Sequence, residues 1–290
     1  MSSARVPVSA VAFIIGGLVA QEVGASIAVL VFPQVGPAGM VSLRLVFSAI
    51  ILLVVARPKL RGISRRSWIV VTLFGISLGG MNLLFYEALA RIDLGPTVTI
   101  EVLGPLALSV ILARRAIAWL WAGLAFTGVV LLSQGGLDGI DPIGVLFALG
   151  AAAGWAAYIL ASRETGKSFE GLGGLAIAMV IGAIITLPFG ISQAGATLLE
   201  PHILLLGLAV AILSSAIPYA LELIALRRVK AETFSVVIAS SPAVATLAGL
   251  VILGQAIGWL QAVGIALVIA ASIGAVRLAP RNPPELEPPV

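Results

Sequence analysis

Ten apolar runs constrain this chain more than any other feature. They fall at about 8–31, 36–56, 67–90, 94–113, 117–134, 142–162, 172–191, 202–226, 232–253 and 257–276. A helix of about 20 apolar residues crosses the hydrocarbon layer of a bilayer, and a segment there must satisfy its own backbone hydrogen bonds. The expected fold is therefore an all-α integral membrane protein of ten transmembrane helices. Composition excludes the soluble alternative. Of 290 residues, 60% are hydrophobic and 10% are charged, against about 25% charged in soluble domains. The first run lacks an Ala-x-Ala cleavage pattern and reads as a retained helix. With no cysteine, a disulfide framework, a thiol nucleophile and a Cys metal site are all excluded.

The net charge of +4 is a topology signal and not a nucleic-acid footprint, because the cations lie between apolar runs. With the N-terminus in the cytoplasm, Arg5, Arg57, Lys59, Arg61, Arg65, Arg66, Arg114, Arg115, Arg163, Lys167, Arg227, Arg228, Lys230, Arg277 and Arg281 all fall inside. Of the 17 Lys and Arg, only Arg91 and the intramembrane Arg44 remain. This asymmetry predicts both termini cytoplasmic.

The chain also repeats. Ala116-Ile-Ala-Trp-Leu-Trp-Ala-Gly123 matches Ala256-Ile-Gly-Trp-Leu-Gln-Ala-Val263, Ala88-Leu-Ala-Arg-Ile92 matches Ala225-Leu-Arg-Arg-Val229, and Pro105 matches Pro242 at the same offset. Residues 1–138 and 139–278 thus read as two five-helix units, with 279–290 a proline-rich disordered tail. Five is odd, so the second unit enters the membrane inverted. Inverted repeats place substrate between the halves of many secondary transporters. Gly79-Gly80, Gly123 to Gly128 and Gly150 to Gly154 read as helix contact faces.

Ionisable residues within spans are expensive, at about 2.5–3.5 kcal/mol each on insertion scales, and point to a functional interior. Arg44 lies mid-way along the second run and needs a carboxylate, a carbonyl or water. Glu22 and Glu101 stand at comparable depth as its expected partners. The acid that does not pair is free to bind a substrate ammonium or carry a proton; the rival reading is a structural ion pair. Asn82 and Tyr86 share a helix face, as do Ser215 and Tyr219. Trp155 and Tyr158 offer an aromatic wall. The expected substrate-binding set is Arg44, Asn82, Tyr86, Glu101, Trp155, Tyr158 and Tyr219, with Glu101 and Glu22 coupling protons. Glu87 is expected to snorkel to water, and Trp68, Trp119 and Trp259 to anchor at the interfaces. The only histidine, His202, lies at a loop edge, so no imidazole triad is available. No metal site, cofactor motif or P-loop is present, which leaves ion gradients or diffusion as the drive.

Ser77-Leu-Gly-Gly-Met-Asn-Leu-Leu-Phe-Tyr86, Glu101-Val-Leu-Gly-Pro105, Gly150 to Leu160, Ala211-Ile-Leu-Ser-Ser-Ala-Ile-Pro-Tyr219 and Val35-Gly-Pro-Ala-Gly39 with Leu43-Arg-Leu45 resemble the EamA-type threonine and homoserine exporter branch of the drug/metabolite transporter superfamily. The resemblance spans about residues 8 to 276. It implies two inverted five-helix repeats in the bacterial cytoplasmic membrane and export of small amino acids or related metabolites, by proton antiport. Ser241 and Glu22 depart from that pattern. A drug or other metabolite as cargo, a membrane enzyme and a channel are the alternatives. The polar residues are too few and too clustered for a channel lining.

Overall fold

The computed structural model describes residues 8–113, 116–134, 141–218, 221 and 237–278. These residues are helical, with no strand among them. The expected tail, Tyr219 and the second member of the Ala225 to Val229 repeat lie outside them. Four described helical segments are long and apolar enough to cross a membrane: Val11–Ala56, Arg65–Leu89, Pro142–Thr165 and Gly173–Leu199. Shorter apolar helices fill Leu94–Leu108, Trp119–Leu132, Pro201–Ala216, Ser241–Leu253 and Trp259–Gly274. Large apolar side chains cover the outside, among them Phe126, Leu146, Leu205 and Val251. Such a surface is stable only against lipid.

Helix α1 (Val8–Ala56) runs 49 residues but is interrupted at Gly36, with φ 68° and ψ 169°. Straight, it would extend about 70 Å, more than twice the hydrocarbon thickness. It is instead a helical hairpin, because Ser214 touches residues on both limbs. Its carbonyl accepts from Arg44 and its hydroxyl donates to the Gln21 carbonyl; on a straight helix those two residues would stand about 35 Å apart. Gly36 supplies a backbone conformation closed to other residues. The fresh N-terminus after Pro37 is satisfied from elsewhere. Gln193 Oε1 accepts from the Ala38 N–H at 2.8 Å and the Gly39 N–H at 3.3 Å.

The remaining elements are α2 (Arg65–Leu89), α3 (Leu94–Glu101), α4 (Leu103–Ala113), α5 (Ala116–Gln134), α6 (Pro142–Thr165), α7 (Gly173–Ala194), a 3-10 turn (Gly195–Leu199), α8 (Pro201–Ala211), a π turn (Ile212–Ala216), α9 (Ser241–Leu253) and α10 (Trp259–Leu278). The sequence reads 94–113 as one span, but the structure breaks it at Val102. Pro105 has no N–H for the Glu101 carbonyl, so the helix yields there. Pro218 does the same to the Ser214 carbonyl, within the π turn.

Packing interleaves the two halves of the chain. The limbs of α1 pack on α7, α8 and α9; α2 packs on α6 and α7, α3 on α9, and α5 on α10. Glycine permits these approaches where backbones nearly touch. A Cβ on Gly79 would meet the Gly182 Cα at 2.9 Å, and one on Gly128 the Gly264 carbonyl oxygen at 2.7 Å. Gly150 and Gly154 face Leu84 and Met81. Gly80 and Gly123 correct the expected contact faces, since neither has a neighbour within 4 Å among the described residues. Gly123 is exposed and Gly80 half-buried, and spacing alone does not distinguish such positions from close contacts.

Candidate functional site

The sites of helix distortion converge. A cavity of about 270 Å³ opens between both limbs of α1, α2, the end of α3, α6, the π turn and Ile238 just before α9. Its walls include Glu22, Arg44, Asn82, Glu101, Trp155 and Tyr158. Residues far apart in sequence but alike in being polar within apolar runs are thereby gathered in one place.

Two groups among the described residues hold Arg44. Its Nη1 donates to the Tyr86 hydroxyl at 3.3 Å and its Nη2 to the Ser214 carbonyl at 3.2 Å. That carbonyl is the one released by Pro218. The guanidinium also lies over the Tyr86 ring, 5.6 Å from its centroid, an arrangement that adds attraction in a dry setting. Among the described residues, a hydroxyl and a carbonyl orient the cation, and Glu22 and Glu101 line the same cavity as the guanidinium.

Glu22 is 1% exposed, and its Oε2 has no hydrogen-bond partner among the described residues. An unpartnered buried carboxylate oxygen is costly unless something comes to meet it. Glu101 is the last residue of α3 and is partly buried on the cavity wall. Asn82 donates Nδ2 to the Leu78 carbonyl at 2.8 Å, which leaves its amide oxygen for the cavity. Trp155 and Tyr158, three apart on α6, form the aromatic wall, and the Tyr158 ring stacks obliquely on Phe74 at 5.0 Å.

Tyr86 lies elsewhere than the sequence suggests. It is fully buried between Phe32 and Phe85 and stands behind Arg44, off the cavity wall. Six wall residues were outside the expected set: Gln21, Ala25, Met81, Phe85, Ser214 and Ile238. Gln21, beside Glu22 in an apolar run, carried the same signal as the residues that were singled out. Met81 and Phe85 carried none, because apolar side chains in a span look alike whether they face lipid, protein or a cavity. Glu87, half-buried near the end of α2, pairs with Arg91 at 2.7 Å. Trp119 and Trp259 project outward, 69% and 74% exposed.

The second half of the chain, residues 142–277, matches the EamA-like transporter family. Beyond that half, the chain is 39% identical over 262 residues to the threonine/homoserine exporter RhtA of Salmonella typhimurium (strain LT2), covering 90% of this chain and 88% of that one. This chain belongs to the EamA-like transporter family. The Escherichia coli (strain K12) threonine/homoserine exporter RhtA is likewise 39% identical, over 253 residues, with 87% and 85% covered. A solved crystal structure 20% identical to this EamA-family chain superposes with a TM-score of 0.64, covering 93% of this chain and 97% of that one; at that identity it speaks for the fold alone. The protein is an all-helical membrane protein of a transporter family.

Proposed function

We propose that the protein exports small amino acids of the threonine and homoserine class across the bacterial cytoplasmic membrane, exchanging them for protons. One observation carries the reading: a guanidinium and two carboxylates share a single cavity buried among apolar helices. A zwitterion presents the complementary pair. Its carboxylate meets Arg44 and its ammonium meets Glu101. Trp155 and Tyr158 close over the side chain, and Asn82 offers a carbonyl to its hydroxyl or ammonium. Tyr86 and Ser214 hold Arg44 in place. Glu101, with Glu22 behind it, then takes either the ammonium or a proton, and competition between the two couples the fluxes. The relatives named as threonine/homoserine exporters favour this class.

The cavity, about 270 Å³, stands at the lower end of the roughly 300–1,000 Å³ of sites that hold drug-sized ligands, a size that suits a small zwitterion. A different small metabolite with both charges remains the second reading, because the same three ionisable groups serve it equally.

The reading takes the chain as ten helices in two inverted repeats, 1–138 and 139–278, with both termini cytoplasmic. Exchanging the halves maps the α3–α9 and α5–α10 contacts onto themselves, the α2–α7 contact onto the one between α8 and the second limb of α1, and the α2–α6 contact onto the one between the π turn and the first limb. Glu101 and Ile238, each four residues before a proline of the repeat, line the same cavity. Both facts support a pseudo-two-fold axis in the membrane plane.

The deciding experiment measures labelled threonine uptake into inside-out vesicles with an acid interior. Wild type is expected to accumulate threonine as long as the gradient lasts, and Glu101→Gln to lose that accumulation while remaining folded. Undiminished accumulation in the variant would remove Glu101 from the coupling site. No accumulation by folded wild type would move the search to another small zwitterion.

A further inference from the structure

A second concave site lies at the opposite end of α1 from its Gly36 bend. It occupies about 450 Å³ where the chain turns from α1 into α2. Arg57, Lys59 and Arg61 line it, together with the hydroxyls of Ser64 and Ser67 and one acid, Glu170. Among the described residues, no carboxylate forms an ion pair with any of the three cations. Three positive charges against one negative leave an excess of two around a single hollow, and like charges so placed repel until an anion joins them. Arg57 holds the only positive φ among the described non-glycine residues, 43°, so the chain accepts a rarely used conformation at this turn. The Ser64 and Ser67 hydroxyls are 2.9 Å apart, and Ser64 Oγ accepts from the Ser67 N–H, which fixes two polar groups on the rim.

The surroundings are apolar and open. Val54 and Val55, in the turn just before the site, are 64% and 65% exposed, and Ile69, just after it, 53%. A free phosphate needs no such flanks; an amphipathic anion does. We propose that this hollow binds the phosphate group of an anionic phospholipid, with Arg57, Lys59 and Arg61 around the phosphodiester and the acyl chains along Val54, Val55 and Ile69. Basic pockets beside transmembrane helices commonly take such headgroups. The site is separate from the cavity that holds Arg44 and does not depend on the cargo.

The test uses the full chain, purified in neutral detergent, and follows its thermal unfolding as phosphatidylglycerol, phosphatidylcholine or inorganic phosphate is added. Binding to the native state raises the transition temperature. Phosphatidylglycerol is expected to raise it saturably and phosphatidylcholine to leave it in place. The Arg57→Gln/Lys59→Gln/Arg61→Gln variant is expected to bind roughly a hundredfold more weakly, at about fivefold per cation near an anionic surface. Lys59→Gln alone, on an exposed side chain, gives the fivefold reading if the triple variant does not fold. An equal-charge control, Arg163→Gln/Lys167→Gln/Arg277→Gln, removes cations outside the hollow and is expected to keep the wild-type response. A saturating shift with inorganic phosphate as well would support the phosphate site and name free phosphate as a source. The proposal is overturned if neither anion shifts the wild type, or if the control loses the response as fully as the triple variant.

Discussion

Tyr86 shows how one residue's role depends on which side of Arg44 it occupies. Its ring and hydroxyl both contact the guanidinium, so the two contributions are separable. Tyr86→Phe keeps the ring and removes a hydrogen bond worth about 1 kcal/mol. The expected result is a transporter of near-normal stability whose KM for cargo rises roughly fivefold, read by uptake kinetics in vesicles. Tyr86→Ala is expected to lose transport altogether, since it also leaves a cavity beneath Arg44. Asp93 offers a test of a different kind, outside the spanning helices. Half-buried before α3, its carboxyl is held above the ordinary value of 3.8 by desolvation. A raised folded value means that the fold prefers the protonated acid. Stability from this group is therefore greatest below pH 3.8 and falls as pH rises through the folded value. Asp93→Asn is expected to remove that slope and to raise the thermal transition at neutral pH. An unchanged slope in the variant would locate the titration elsewhere. Of the residues in the site, those read from the sequence were Glu22, Arg44, Asn82, Glu101, Trp155 and Tyr158, because charged, amide and polar-tipped aromatic side chains stand out against an aliphatic run. Ser214 contributes its backbone carbonyl to Arg44, and no side-chain pattern announces that.

Among the elements, α1 is decided by its bend. The gap between the runs at 8–31 and 36–56 placed a turn here, and Gly36, read as the first residue of the second run, meets a positive φ. What caps the second limb was not visible, because Gln193 is 155 positions from Ala38. Gln193→Ala strands two backbone N–H groups and is expected to cost about 1–3 kcal/mol. Gly36→Ala combines the strain of an unfavourable backbone region, about 1–3 kcal/mol, with a collision against the Gln193 side chain. Thermal unfolding of both variants and of the double variant would show coupling, because removing the Gln193 amide also relieves the collision. The α3–α4 break and the π turn follow the same rule as each other. A proline four residues on releases a carbonyl, and each released carbonyl belongs to a residue on the cavity wall, Glu101 or Ser214. Pro105 was legible as a position of the repeat, and Pro218 as part of a motif. That both open onto one cavity was not.

For the molecule as a whole, the halves are held together by backbone approach. Gly79→Val would drive its side chain into Gly182 on α7, and overpacking of that kind costs about 1–3 kcal/mol. A lowered thermal transition is expected, while Gly80→Val, facing open space, is expected to leave it in place. Orientation is tested by accessibility. The absence of cysteine lets single substitutions report cleanly. Gln34 meets His202 at 3.1 Å, so the α1 bend and the start of α8 share one end of the molecule; Lys59 and Glu170 share the hollow at the other. Lys59→Cys is expected to label only from the cytoplasm and Glu200→Cys only from outside. Labelling of both from one side would overturn the assignment of the termini. The sequence by itself determined the solvent: with 60% of residues hydrophobic and runs of spanning length, the hydrophobic effect leaves no soluble arrangement, and the loop cations set an expected orientation. It determined where helices would weaken, because glycine and proline act on their own backbone. Only the tertiary structure decided which polar groups meet. A bilayer-spanning helix satisfies its backbone internally, so its pattern says little about neighbours. Packing alone brought Glu22, Arg44, Asn82 and Glu101 to one cavity, put Tyr86 behind it, and turned the loop cations Arg57, Lys59 and Arg61 toward a single hollow.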